Sequence, residues 1–158
     1  MIMDPSSHAF KLIKDFSQTI NPALAIALVV GLVLLWRQDK SRFWGIFIAA
    51  VVSIAIAYLI KSVEGHHHIW ANWGMNFSSH SALAIACCTA MAFIWQKRWW
   101  IFAAIFVAYA IFMIIMQFHS VADILTTTAV IFPICWVCQF VAWRRESATP
   151  SLPVSSQA

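Results

Sequence analysis

The chain of 158 residues has few charged side chains, and this shortage excludes most classes of protein. Only 10% of the residues are charged, whereas 62% are apolar. Soluble domains carry roughly 25% charged residues, so a water-exposed surface cannot be built from this composition. A disordered chain is excluded as well, because such chains combine low hydrophobicity with high net charge. We therefore expect an integral membrane protein.

Evidence for a nucleic-acid partner and for a metal or redox centre is lacking too. The net charge of +4 comes from small basic clusters at the ends of apolar runs, not from a basic surface. The pair Cys135-x-x-Cys138 has the spacing of a zinc or redox site, but it lies inside an apolar run. Apolar packing of these thiols, and of Cys87 and Cys88, is the favoured interpretation. We expect no cofactor and no bound metal.

The apolar runs predict a single all-α transmembrane domain over residues 1–146, built as one helical bundle. Helices of ~20 residues span a bilayer, so about five of them use most of the chain. The predicted membrane helices cover residues 20–36, 43–62, 77–95, 99–118 and 121–143. Apolar residues at helical spacing over residues 5–19 predict an amphipathic helix that lies in the interface. The Ser- and Pro-rich residues 147–158 predict a disordered tail.

The basic residues set the expected orientation of this bundle. Five crossings place seven lysines and arginines on one side of the membrane, and only Lys11, Lys14 and Lys61 on the other. The more basic side is normally cytoplasmic. We therefore expect a bacterial inner (cytoplasmic) membrane protein whose C-terminus is cytoplasmic. The loop of residues 64–78 then faces the periplasm or exterior.

Two polar clusters begin apolar runs on that outer side, and one of them contains His119 and Asp123. Ionisable residues near hydrocarbon are costly, so in a membrane chain they indicate a functional site. Four residues apart on a helix, the two side chains share one face. A carboxylate that accepts the proton of one imidazole nitrogen leaves the other nitrogen free to attack an electrophile. The pair therefore predicts a nucleophile with its orienting group.

The second cluster, Ser78-Ser79-His80, lies where the third membrane helix is expected to begin. The unpaired N–H groups of a helix start bind anions such as phosphate. Lys61, at the end of the second membrane helix, adds a cation on the same side. Together with a second histidine able to act as a general acid, these groups predict a phosphoryl-transfer site.

These residues resemble the motifs of the type 2 phosphatidic acid phosphatase superfamily, metal-independent membrane phosphatases of lipid phosphates and pyrophosphates. Phe77-Ser78-Ser79-His80 is similar to the P-S-G-H motif, and His119-x3-Asp123 to the end of S-R-x5-H-x3-D. Lys61 stands where the lysine of K-x6-R-P is expected. The resemblance covers roughly residues 20 to 143. The Arg-Pro and Ser-Arg of the family motifs fall at His68-Ile69 and Phe112-Met113, so both phosphate-binding arginines are absent.

The resemblance implies a role for each matched residue. His119 would attack phosphorus and form a phosphohistidine, Asp123 would orient it, and His80 would protonate the leaving lipid oxygen. The substrate-binding residues would be Lys61, Ser78, Ser79 and, as a partial replacement for an arginine, His68. The implied substrate is a polyprenyl or glycerolipid phosphate or pyrophosphate in the outer leaflet, and the partners are that substrate and membrane lipids.

Several alternatives stay open at this stage. Ser78 or Ser79 can be an ordinary helix N-cap, and Lys61 can extend towards the headgroups without binding a substrate. His66, His67 and His68 fit a solvated loop, a phosphate contact or, less well, a metal site. The missing arginines favour a second function, a non-catalytic relative that binds a lipid phosphate or a protein partner. A His-rich, metal-dependent membrane protein is the third.

Overall fold

The computed structural model describes residues 8–147, with side chains described for residues 19–145. Two 3-10 helices, Ala71–Trp73 and Gln96–Arg98, interrupt the connections between the longer elements. The α-helices are α1 (His8–Gln38), α2 (Lys40–His67), α3 (Ser79–Ile94), α4 (Trp99–Ile115) and α5 (Val121–Ser147). The described residues form an all-helical bundle, which confirms the predicted fold class. Of the predicted tail over residues 147–158, Ser147 ends α5 and residues 148–158 lie outside the described residues.

Four helical segments are long and apolar enough to cross a membrane. They cover Thr19–Gln38, Lys40–His67, Gln96–Ile115 and Val121–Arg145. The helix predicted over residues 77–95 forms as α3, but its 16 residues rise only ~24 Å, less than the ~30 Å of bilayer hydrocarbon. Four such helices support the predicted membrane class, whereas the count of five spanning helices is not confirmed.

The N-terminal helix is longer than predicted. Residues 8–38 form one continuous helix with Pro22 inside it, so no break separates an interfacial helix from the first membrane helix. Proline removes one backbone hydrogen bond, and membrane helices tolerate this loss where neighbouring groups compensate. The predicted interfacial helix over residues 5–19 is not confirmed, and residues 5–7 lie outside the described residues.

Helix α3 is the centre of the bundle and packs against each of the other four α-helices. Most of its residues are buried, and many of them are small, such as Ala82, Ala86 and Ala90. Small side chains let the helix backbones approach closely. Because protein surrounds α3, a helix too short to match the bilayer can still lie at membrane depth.

Helix α4 is the most loosely packed helix of the five. Helices α2 and α5 pack on one another as well as on α3, whereas α4 packs on α3 and has few contacts with α1 or α5. An apolar space of about 680 Å³ separates α4 from α5, and a smaller one of about 210 Å³ lies between α1 and α4. The outward face of α4 carries exposed apolar side chains such as Val107, Ile111 and Ile115. These side chains suit contact with lipid.

The two ends of the bundle differ in chemistry. At one end, which we call the basic end, the side chain of Arg42 at the start of α2 donates to the carbonyl of Phe93 at the end of α3 (2.6 Å). All arginines of the chain lie in segments that meet here: Arg37, Arg42, Arg98, Arg144 and Arg145. At the other end, the histidine end, the connection from α2 to α3 meets the connection from α4 to α5. Both polar clusters of the sequence therefore lie at one end of the bundle.

Candidate functional site

The connection between α2 and α3 is tied to the first turns of α5 by three hydrogen bonds. Trp70 Nε1 donates to Thr126 Oγ1 (3.1 Å), and the Ser78 backbone N–H donates to Thr127 Oγ1 (3.0 Å). Between them, the Asn76 N–H donates to Asp123 Oδ1 (2.6 Å). The three acceptors are spaced so that they share one face of α5. That face fixes the path of the connection and with it the start of α3.

The same connection has a second internal support in Glu64. Its carboxylate accepts the N–H groups of Trp70 (2.9 Å) and Ala71 (3.2 Å), which begin the first 3-10 helix. The ring of Trp70 then meets the ring of Phe77 edge-on, with centroids 5.2 Å apart. His68 closes α2 in the left-handed conformation (φ 53°) and donates its N–H to the Glu64 carbonyl. Glu64 thus works as a structural carboxylate in this loop.

Asp123 is the central polar group of the histidine end. Its Oδ2 accepts the Ser120 N–H (2.9 Å), while its own N–H donates to Ser120 Oγ (3.1 Å). This reciprocal pair is a capping box that satisfies the start of α5. With the bond from Asn76, both carboxylate oxygens already accept backbone protons. Asp123 is therefore a structural anchor as well as a candidate partner for His119.

His119 lies beside that carboxylate. Its Nδ1 is 3.8 Å from Asp123 Oδ2, and the two side chains are 16% and 7% exposed. This separation exceeds a hydrogen bond, so a shift of about 1 Å would be needed to form one. Burial lowers the pKa of His119 from its ordinary value, and His80 lowers it further, while Asp123 acts in the opposite direction. At neutral pH the imidazole is therefore uncharged, as a nucleophile requires.

The start of α3 supplies the second half of the candidate site. Ser78 is fully buried and caps the helix: its Oγ accepts the Ser81 N–H (3.3 Å) and donates to Ser81 Oγ (2.8 Å). Ser79 is partly exposed and His80 is exposed. The N–H groups of Ser79 and His80 have no acceptor within the described part of the chain. These two donors are the available anion-binding groups of the helix start.

The two positions at which the resemblance calls for an arginine hold no lysine or arginine. Met113 is buried inside the bundle, and Phe112 is partly buried. His66 and His67 are exposed in the last turn of α2, and His68, which closes that helix, is exposed as well. Among the side chains that the structure describes, Lys61 is the one lysine or arginine at the histidine end, and it is exposed. Within residues 19–145, permanent positive charge at the histidine end therefore comes from Lys61.

The metal-site alternative finds no support in side-chain positions. Across the described residues, no group of three or more histidine, cysteine, aspartate or glutamate side chains is placed to hold a metal ion. Glu64, which can extend such a site on paper, is engaged with two backbone N–H groups. The side chains of His66, His67 and His68 are exposed to solvent.

Several residues that build this end were not singled out from the sequence. Trp70, Asn76, Thr126 and Thr127 place the loop, but none of them is ionisable. One sequence signal was available, since three consecutive threonines follow Asp123 at the start of an otherwise apolar helix. Polar side chains at that depth need a partner, and two of these three hydroxyls accept a hydrogen bond from the loop.

Comparisons with known proteins leave the site to be interpreted from its own geometry. No protein-family model matches the chain, and neither a curated protein nor a solved structure does.

Proposed function

We propose that the protein is a membrane phosphatase that hydrolyses a lipid phosphate or pyrophosphate, of polyprenyl or glycerolipid type, through a phosphohistidine. The observation that carries this proposal is the pairing of His119 with Asp123 at 3.8 Å, next to the open start of α3. The histidine end combines a neutral imidazole, an orienting carboxylate and two unpaired N–H donors. The phosphate groups of membrane lipids lie at the membrane surface, where the end of a membrane-spanning bundle is expected.

In the proposed reaction, Nε2 of His119 attacks phosphorus, and the bond from phosphorus to the lipid oxygen breaks. His80 in its protonated form gives its proton to that oxygen, which leaves as an alcohol or, for a pyrophosphate, as a monophosphate. The neutral His80 then takes a proton from water, whose oxygen attacks the phosphohistidine. Inorganic phosphate leaves, His119 returns to its neutral form, and His80 is again protonated.

Charge on the phosphate oxygens is met by few donors. The N–H groups of Ser79 and His80 bind two oxygens, and Lys61 and His68 approach from the loop side. Ser78 contributes by capping α3 and fixing those N–H groups. Bidentate guanidinium contacts are absent, and each missing donor of this kind costs on the order of 10²–10³ in rate. We therefore expect turnover to be slow. The proposed location is a bacterial inner membrane with the histidine end outside.

The decisive experiment measures phosphate release by the purified full chain in detergent. Substrates should include polyprenyl, glycerolipid and sphingoid phosphates. His119→Ala is expected to abolish release, because the nucleophile is lost, and His80→Ala should lower it strongly. Asn72→Ala is the matched control, since Asn72 is an exposed polar residue of the same end. Release that persists in His119→Ala would refute the mechanism.

Two observations favour a second function, the binding of a lipid phosphate or a partner protein without catalysis. Both oxygens of Asp123 already accept backbone protons, and the arginines of the chain lie at the basic end. A site of this kind suits a protein that binds a lipid phosphate, or a partner protein, without turnover. Binding of a lipid phosphate in preference to its dephosphorylated alcohol, with no release from any substrate, would establish this function in place of the first.

A further inference from the structure

The larger apolar space beside α4, which we call the α4–α5 groove, is a candidate binding site that opens at the basic end of the bundle. It encloses about 680 Å³. Its floor is α3, and its walls are formed by α4 and α5, which have few contacts with one another. Representative lining residues are Ile85, Phe93, Phe102, Val107, Thr128 and Trp143. None of its lining side chains is charged.

The depth of the groove corresponds to one leaflet of a bilayer. It begins at the basic end, beside Gln96 and Trp99. From there it extends ~12 Å along α4, to Val107, and ~22 Å along α5, from Trp143 to Thr128. One leaflet contributes ~15 Å of hydrocarbon. A chain anchored at the basic end therefore reaches through the groove to about the middle of the bundle.

Cationic residues neighbour lining residues of the groove at this end: Lys97 follows Gln96, and Arg144 follows Trp143. Lys97 belongs to the short helix that precedes α4, and Arg144 belongs to the last turn of α5. The Arg144 guanidinium lies 4.7 Å from the centroid of Phe140, a ring that lines the groove. The indoles of Trp99 and Trp143 lie at the same level, where headgroups are expected. An anionic headgroup placed here is flanked by positive charge from two helices.

We propose that the α4–α5 groove binds the acyl chain of an anionic phospholipid from the leaflet at the basic end, with its phosphate between Lys97 and Arg144. A transmembrane helix, a cylinder ~10 Å wide and ~30 Å long, has several times this volume and would lie mostly outside the groove. A lipid whose headgroup lies at the histidine end fits less well. The groove ends at Thr128, which is ~8 Å along α5 from Asp123, so that lipid's chain would not reach the groove directly from that end. The lipid fills the gap that α4 leaves towards α5.

The experiment is native mass spectrometry of the full chain released from detergent, with phosphatidylglycerol or phosphatidylcholine of identical acyl chains. The wild type is expected to retain one phosphatidylglycerol in preference to phosphatidylcholine. Lys97→Gln and Arg144→Gln should each reduce that preference roughly fivefold. Ala103→Phe, which fills the groove from α4, should reduce retention of both lipids. The neighbouring Ala104→Phe is the control, because Ala104 does not line the groove.

Each other outcome counts against the proposal. Equal retention of the two lipids by the wild type would remove the headgroup site. If Ala103→Phe and Ala104→Phe retain the same amount of lipid, the lipid does not bind in the groove. A dimer that Ala103→Phe abolishes would show that a second copy of the chain covers the groove instead. If Ala103→Phe does not fold, Thr128→Phe fills the groove from α5 and serves the same test.

Discussion

The two sides of α3 are held by different kinds of contact. Towards α5, the connection over residues 68–78 is fixed by hydrogen bonds to Asp123, Thr126 and Thr127. Towards α4, side chains pack against one another, as where Trp95 stacks on Phe102 with centroids 5.5 Å apart. Two apolar spaces flank α4, whereas α2 and α5 pack closely together.

This difference matters because the bilayer competes with the two kinds of contact unequally. Lipid tails replace an apolar neighbour at little cost, since they are as apolar as leucine. They cannot replace the acceptor of a backbone N–H, whose loss costs several kcal/mol in hydrocarbon. The polar side should therefore hold the geometry of His119 and His80 precisely. The α4 side should adapt to the lipid beside it.

Asp123→Ala removes the strongest of the polar contacts and should have the largest effect on stability. It leaves the N–H groups of Asn76 and Ser120 without their acceptor. Hydrogen bonds to a charged group contribute ~1.5–3 kcal/mol each, so the loss of two should lower the free energy of unfolding by ~3–6 kcal/mol. Thermal or denaturant unfolding of the purified protein in detergent measures this change.

The matched variant on the α4 side is Ile111→Ala. Ile111 is 51% exposed on the outward face of α4, so its truncation should change the free energy of unfolding by no more than ~0.5 kcal/mol. Similar losses for Asp123→Ala and Ile111→Ala would contradict the distinction between the two sides of α3.

Part of this arrangement was predictable because it follows from periodicity and charge. The spacing of His119 and Asp123 predicted that both side chains share one face of a helix. His119 lies two residues before α5 begins, but the structure brings the two side chains within 3.8 Å. Alternating membrane crossings place the start of α3 at the same end. Ser78 is an N-cap, one of the two roles that its sequence position allowed.

The rest depends on long-range contacts that periodicity does not encode. The bonds from Asn76 and Ser78 to α5 require the course of an irregular loop, to which local pattern gives no guide. The central position of α3 depends on how four other helices surround it. The continuity of α1 through Pro22 was missed because the polar residues before it were assigned to a separate helix.

Gly31→Leu should lower the free energy of unfolding by less than Asp123→Ala does. It tests the packing between α1 and the end of α3. A Cβ atom on Gly31 would lie 2.5 Å from the ring of Trp95, so a larger side chain must displace that ring. Overpacking of this kind costs ~1–3 kcal/mol. Gly65→Leu is the control, since Gly65 also lies in a helix and a Cβ there meets nothing within 4 Å.

The comparison of these two glycine variants also reports on α4. The ring of Trp95 lies between Gly31 and Phe102, the residue through which it stacks on α4. If α4 is as adaptable as proposed, the ring moves towards it and the loss stays near the lower end of that range. A loss above ~3 kcal/mol would show that α4 is held as rigidly as the polar side.

The smallest expected effect is a shift in the pKa of His119 when His80 or Asp123 is substituted. This shift tests whether the hydrogen bonds of the α5 side hold His80 close to His119. Because burial and His80 lower the pKa of His119, the folded protein binds this proton less tightly than the unfolded chain does. The contribution of His119 to stability is therefore present above pH 6.5 and declines as the pH falls through 6.5 towards the lowered pKa.

His80→Gln removes one of the lowering influences and should raise the pKa of His119, whereas Asp123→Asn removes the opposing charge and should lower it. NMR titration of histidine-labelled protein in detergent measures both shifts without relying on turnover. An unchanged His119 pKa in His80→Gln would mean that the imidazoles do not face one another. The loop bonds of Asn76 and Ser78 would then fix the backbone of α3 without fixing the second half of the site.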